Sequence, residues 1–336
     1  MHPRLNRLFR SERLRALAAL VTAVVMFASS FVAIRAIISA GVFSPGQLVV
    51  SRMFVASICV ALLAVVTTAR NGAARSATAD HRASAADTAA PPAVGFRAPK
   101  SAADWVAFLA LGALGQGLYQ LLLNTGERTV DASTAALLIS CAPILASVMA
   151  VVFLGERMGA AGWVGTAIAF LGAIIIAVAA GVRLELGSDV LLVITATTLW
   201  AGYQVLQKVV APRHTPLELA GWPVWIAFAA LLPFFAAGLP DAIRSAPAPA
   251  LWAVVWLGAF ATVAGFLAWS YAIKRLPVVV SSNALFGVPV AAFLIALVFL
   301  GEVPAPLTFV GGAVVVGGVV LAQSVGRAEK SDALPQ

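Results

Sequence analysis

The sequence predicts an all-α polytopic membrane protein, with ten transmembrane helices arranged as two inverted five-helix repeats. Three observations predict it. Of 336 residues, 61% are hydrophobic and only 11% are charged. Ten apolar stretches are each long enough, at about 20 residues, to cross the bilayer hydrocarbon as a helix. One pentapeptide, Val-Phe-Leu-Gly-Glu, ends two of those stretches, at 152–156 and again at 298–302.

The composition sets the solvent. A soluble domain carries about 25% charged residues, and the mean hydropathy here is +0.98. A polar exterior cannot be made from so few charges, so lipid is the medium for most of the chain. The stretches run approximately 16–37, 48–68, 104–124, 132–154, 160–181, 189–209, 217–238, 250–272, 279–300 and 305–325. Lipid offers no partner to backbone polar groups, so each is read as a helix. The first starts basic and passes small residues at Ala28-Ser29-Ser30, like a leader, but stays apolar through Ile37. It is read as a retained helix.

Charge orients the helices. Of 22 Lys and Arg, 17 fall on the side of the N-terminus if the chain crosses ten times, and 5 on the other. That asymmetry puts both termini in the cytoplasm. Residues 1–15 are a basic cytoplasmic start, 69–103 a disordered cytoplasmic loop, and 327–336 a cytoplasmic tail. The net charge of +8 is thus spent on membrane orientation, and nucleic acid is not expected as a partner.

The repeat follows from the pentapeptides. Their offset is 146, and at that offset Pro143 meets Pro289, Gly165 meets Gly311 and Gly172 meets Gly318. Nearer the N-terminus the offset is 173, where Ala28 meets Ala201 and Arg35 meets Lys208. It then slips by two, where Pro45 meets Pro216 and Leu48 meets Leu219. The units are 16–181 and 182–326. Five is odd, so the second unit enters the membrane from the opposite side to the first. Such repeats build alternating access, with substrate near the midplane between halves. The Gly of each pentapeptide relaxes a helix end. The Glu after it stays hydrated or pairs with a nearby base such as Arg157.

Three stretches carry a family likeness: Phe27 to Arg35 (FASSFVAIR), Pro45 to Arg52, and the two copies of Pro-x9-Phe-Leu-Gly-Glu. On these the chain resembles the EamA-like branch of the drug/metabolite transporter superfamily, over most of 16–325. The resemblance implies a secondary carrier of small polar metabolites or drugs in a bacterial inner membrane. Two features depart from it. The family often has Trp-Gly where Phe27-Ala28 stands, and the 69–103 loop is longer than usual.

Polar residues inside spanning helices face a cavity or a partner helix. In helix 6, Trp200, Tyr203, Gln204 and Gln207 share one face; in helix 3, Gln116, Tyr119, Gln120 and Asn124 do. Helix 1 offers Thr22, Met26, Ser29 and Ser30. Trp269, Ser270 and Tyr271 end helix 8, and Ser281, Ser282 and Asn283 open helix 9. The expected substrate-binding set is Arg52, Tyr119, Gln120, Asn124, Trp200, Tyr203, Gln204, Trp269 and Asn283. Amides and hydroxyls replace a solute's hydration, and aromatic faces accept cationic or apolar groups. The same residue types also glue helices together. Arg52 either grips a substrate carboxylate or snorkels to headgroups.

The expected activity is transport of a small polar, amino-acid-like metabolite or drug, with export the expected direction. The alternative is a non-transporting scaffold or sensor. An enzyme is not expected: no His is embedded, and no carboxylate pair lies at depth. No cofactor or metal is expected, since Cys59 and Cys141 lack ligand spacing and His2, His81 and His214 lie in loops or termini. Glycines of helices 5 and 10 pack closely, within the fold or in a homodimer.

Overall fold

The computed structural model describes residues 3–82, 96–128, 130, 132–181, 188–300 and 305–325. Within them every regular element is helical, and ten helices are long and apolar enough to cross a membrane. They are α1 (Pro3–Ala40), α2 (Pro45–Arg82), α3 (Ala102–Gly126), α4 in two pieces (Ala132–Ile139 and Ala142–Leu154), α5 (Ala160–Ala179), α6 (Ser188–Val210), α7 (Pro216–Phe235), α8 (Ala248–Arg275), α9 in two pieces (Val278–Ala284 and Gly287–Leu300) and α10 (Pro306–Val325). A short helix, Leu239–Ser245, lies between α7 and α8. Large side chains such as Val152, Phe153, Phe234 and Val298 are at least two-thirds exposed. In water that surface would aggregate; against lipid it is the correct exterior.

α2 differs from expectation. It continues as helix to Arg82, so the first part of the expected disordered loop is helical. The stretch beyond Ala69 is rich in alanine, which carries the highest helix propensity, and a helix already nucleated in lipid extends cheaply into water. Residues 83–95 lie outside the described residues. The end of the expected loop is described and docks on α7: the Arg97 N–H donates to Glu218 Oε1 at 2.9 Å, and Phe96 stacks on Trp222.

The two halves share their irregularities. α4 is interrupted at Ser140-Cys141, ahead of Pro143, and α9 at Leu285-Phe286, ahead of Pro289. Proline supplies no N–H and crowds the preceding turn, so both breaks sit where the repeat sets them. π-helical segments occur at Ala110–Leu118 in α3 and at Leu257–Ala264 in α8, again in matching places.

α5 and α10 run antiparallel and touch through glycine. A Cβ on Gly165 would fall 2.8 Å from the Gly318 carbonyl oxygen, and one on Gly172 would fall 2.7 Å from that of Gly311. Under the offset of 146, each of these contacts maps onto the other. That exchange is what a two-fold axis between equivalent helices produces. The glycine faces are therefore used within the chain.

Candidate functional site

Between the two halves lies a cavity of about 160 Å³. Its lining repeats the internal symmetry. Phe27 and Trp200 both line it, at offset 173. So do Gln120 and Phe266, Ile139 and Leu285, Ala142 and Val288, and Pro143 and Pro289, all at offset 146. Five matched pairs in its lining place the cavity on the axis that relates the halves. The helix breaks of α4 and α9 open onto it, which is where non-helical backbone is tolerated in a membrane.

The cavity lies toward one face of the bilayer. Its remaining walls come from the second half of α1, the start of α2 at Arg52, and the last two turns of α3. All of these are on the side away from the N-terminus.

Arg52 is 8% exposed. Its Nε donates to the Thr262 hydroxyl at 2.6 Å and its Nη1 donates to Gln120 Oε1 at 2.7 Å. Thr262 in turn donates to the carbonyl of Leu257, five residues back, at 2.8 Å. That span belongs to a π-turn, so the π-segment of α8 aims Thr262 at the guanidinium. Gly258 admits the close approach: a Cβ there would fall 2.9 Å from the Arg52 carbonyl oxygen. Both acceptors are neutral, and among the described residues no carboxylate lies within ion-pair distance of Arg52. A buried cation without a counter-anion costs several kcal/mol, and neutral hydrogen bonds offset only part of that. The arrangement favours an anion.

Aromatic rings form the other wall. Tyr119 stacks on Trp200 with centroids 5.3 Å apart, and Trp200 stacks on Tyr203 at 5.2 Å. Phe27 packs on Phe266 at 5.0 Å.

Of the nine residues expected from sequence, five line the cavity: Arg52, Tyr119, Gln120, Asn124 and Trp200. The other four are not brought to it and are bonded between helices instead. Tyr203 Oη accepts from Gln207 Nε2 at 3.2 Å. Trp269 Nε1 donates to Gln207 Oε1 at 2.8 Å. Gln204 Oε1 accepts from Ser282 Oγ at 2.7 Å, and Asn283 Oδ1 from Thr166 Oγ1 at 3.1 Å. Arg52 is inside the cavity wall rather than at the headgroups. Sequence reasoning missed Glu127, Ser140 and the phenylalanines, and it named Ser30 in helix 1 without carrying it into the expected set. Glu127 was legible in principle, three residues after Asn124 on the same face of α3.

The chain matches the EamA-like transporter family over residues 88–178 and again over 187–323. Those two matches cover more than half its length. The chain belongs to the EamA-like transporter family. A relative from Streptantibioticus cattleyicolor, named a probable terminal-alkyne amino-acid exporter, is 37% identical over 307 residues, 91% of this chain and 93% of that one. An uncharacterized transporter of Bacillus subtilis is 32% identical over 64% of this chain and 70% of its own length. A solved crystal structure, 18% identical, superposes with a TM-score of 0.68 over 93% of this chain and 98% of that one, and shows the same fold.

The transporter's opposite face is stitched shut. Gly155, at φ +64°, ends α4 in the left-handed region, and Glu156 follows. Its carboxylate accepts the backbone N–H groups of Val278 at 2.8 Å and Val279 at 3.1 Å. This corrects the expectation that Glu156 stays hydrated or pairs with a base such as Arg157: the carboxylate caps the start of α9, where orphan N–H groups and the helix dipole attract an anion. Lys208 Nζ donates to the carbonyls of Ile273 at 2.7 Å and Leu276 at 2.6 Å, capping the end of α8. Arg213 pairs with Asp104 at 2.8 Å. Glu302 and the side chain of Arg35, the repeat partners of Glu156 and Lys208, lie outside the described residues. So, among the described residues, the cavity lies toward one face and the opposite face is bridged by these contacts.

Proposed function

We propose that this transporter exports a small amino-acid-like metabolite across the bacterial inner membrane by alternating access. The observation that carries the reading is Arg52, a buried guanidinium held by two neutral acceptors in a cavity on the internal symmetry axis. A substrate carboxylate is the counter-charge it lacks, and guanidinium binds carboxylate bidentately. The cavity is small beside the ~300–1,000 Å³ of sites for drug-sized ligands, which favours a metabolite over a drug. The Streptantibioticus relative's name supports both an amino acid and export.

Positive charge places both termini in the cytoplasm, with 1–15, the 69–103 loop and 327–336 on that side and units 16–181 and 182–326 in the membrane. The cavity then faces outward. Repeat partners supply the other state. Ser30, Phe31 and Ile34 of the open side correspond to Tyr203, Gln204 and Gln207 of the closed side at offset 173. Leu123 and Asn124 correspond to Trp269 and Ser270 at offset 146. When the halves exchange packing, the closed network becomes the wall of a cytoplasm-facing cavity. Tyr203, Gln204 and Trp269 thus bind substrate in the inward state. The role is transport rather than catalysis, and the cavity is lined from one chain.

Counterflow in proteoliposomes tests this. Vesicles loaded with unlabelled L-propargylglycine should accumulate the labelled compound, and Arg52→Gln should abolish that. No exchange of any member of an amino-acid panel would overturn the reading.

A further inference from the structure

We infer that Glu127 is the cation subsite of the cavity: it takes the ammonium of a substrate whose carboxylate sits on Arg52, so the pair selects a zwitterion over the matching acid or amine. This deepens the amino-acid reading above and rests on it.

The placement is the argument. Glu127 lines the same cavity as Arg52. Tyr119, Gln120, Leu123, Asn124 and Glu127 present one face of α3 to it, and the Glu127 backbone N–H, donating to the Leu123 carbonyl at 2.9 Å, keeps the chain helical to that point. Among the described residues, no hydrogen-bond or ion-pair partner reaches the Glu127 carboxylate. Tyr119 lies in the field of both charges, the Arg52 guanidinium and the Glu127 carboxylate. The cavity therefore holds two opposite charges, and among the described residues no ion pair joins them. A half-buried carboxylate without a partner costs free energy in the same sense as the buried guanidinium, though less. A bound zwitterion relieves both at once, whereas an acid or an amine relieves only one.

The charge state fits. Glu127 lies one residue beyond the spanning segment Ala102–Gly126, and burial pushes its carboxyl up to about 7. Arg52 and Tyr119 line the same cavity, Arg128 is next in the chain, and the Asp189 backbone at the start of α6 comes close to Gly126. Burial is the cause of the shift. Below about 7 the empty site holds a proton and has no charge for an ammonium; above it, the site is an anion.

The two subsites also lack charged counterparts. Under the repeat, Arg52 corresponds to Pro223 at the slipped offset of 171, and Glu127 to Ile273 at 146. Both charges belong to the open face.

Three isosteric probes test the inference on the purified full chain: L-propargylglycine, 4-pentynoic acid and but-3-yn-1-amine, titrated against tryptophan fluorescence at pH 6 and pH 8. The unmodified protein should bind propargylglycine at least about tenfold tighter than either single-charge probe, one charge-assisted contact being worth about 1.4 kcal/mol or more. Glu127→Gln should bind propargylglycine and 4-pentynoic acid alike and lose the pH dependence. If Glu127→Gln keeps full discrimination against the acid while Arg52→Gln loses the amino acid, Glu127 is not the subsite and the amino-acid reading stands. If no probe binds the unmodified protein, both fail. Should Glu127→Gln not fold, the pH profile decides: the two ammonium probes must gain affinity from pH 6 to pH 8 relative to 4-pentynoic acid, and parallel profiles overturn the inference.

Discussion

Arg52 Nε and the Thr262 hydroxyl meet at 2.6 Å across 210 residues of sequence, joining the first half of the chain to the π-segment of the second. This contact spans the two units that must move against each other. It also leaves the guanidinium's charge unanswered, since the hydroxyl is neutral.

Two substitutions separate charge from position. Arg52→Gln removes the cation and should lower amino-acid exchange by at least about a hundredfold, to background in the counterflow assay, the order expected when one partner of a buried charge pair is lost. Thr262→Val keeps the charge but strands the Nε–H, at a cost of about 1–3 kcal/mol, so the half-saturating concentration should rise while maximal exchange persists. Initial rates against substrate concentration distinguish the two.

The glycine seam is the second prediction. A Cβ on Gly165 or Gly172 would enter the backbone of α10, and backbone cannot move aside as a side-chain tip can. Gly172→Val should cost about 1–3 kcal/mol of stability or more and lower the melting temperature in detergent. Gly317→Val should not, because a Cβ there meets nothing within 4 Å.

The fold was legible because its signal is coarse: ten long apolar runs and one repeated pentapeptide survive any local ambiguity. The site was legible only in part. Helical spacing tells which side of α6 is polar, and Trp200 does line the cavity. Spacing does not tell depth, and Tyr203 and Gln204, one turn further on, belong to the closed network instead. Which turn is open depends on the conformational state, and no single helix encodes that. Arg52 read also as an anchor because its partners, Thr262 and Gln120, lie 210 and 68 residues away. Glu127 was passed over because it stands where the apolar run ends, although its register matches Asn124.

Glu127 also makes stability depend on pH. Its carboxyl titrates near 7 in the folded protein and near the usual 4.3 when unfolded. The folded state therefore holds the proton more tightly than the unfolded state does. The resulting stability is fully present below about 4.3 and is lost as pH rises through about 7. Substrate-free protein should melt at a lower temperature at pH 8 than at pH 6, and Glu127→Gln should flatten that difference. A zwitterionic ligand should restore the melting temperature at pH 8. Thermal scans with and without L-propargylglycine measure all three.

The closed face yields the last prediction. Glu156 and Lys208 act on the two ends of one connection, the carboxylate on the N–H groups that begin α9 and the ammonium on the carbonyls that finish α8. Charge-assisted bonds of this kind contribute about 1.5–3 kcal/mol each, enough to hold a two-state equilibrium well to one side. Glu156→Gln leaves two N–H groups facing a weaker acceptor, and Lys208→Met leaves two carbonyls unmet, so each should favour opening toward the N-terminal face. Ser270 is fully buried against Gln207 Nε2, at 3.0 Å. In a background with Cys59→Ser and Cys141→Ser, a Ser270→Cys reporter should react slowly with an impermeant maleimide applied to that face. Adding Glu156→Gln or Lys208→Met should speed the reaction about tenfold. An unchanged rate in both variants would mean that these caps hold helix ends and not the gate.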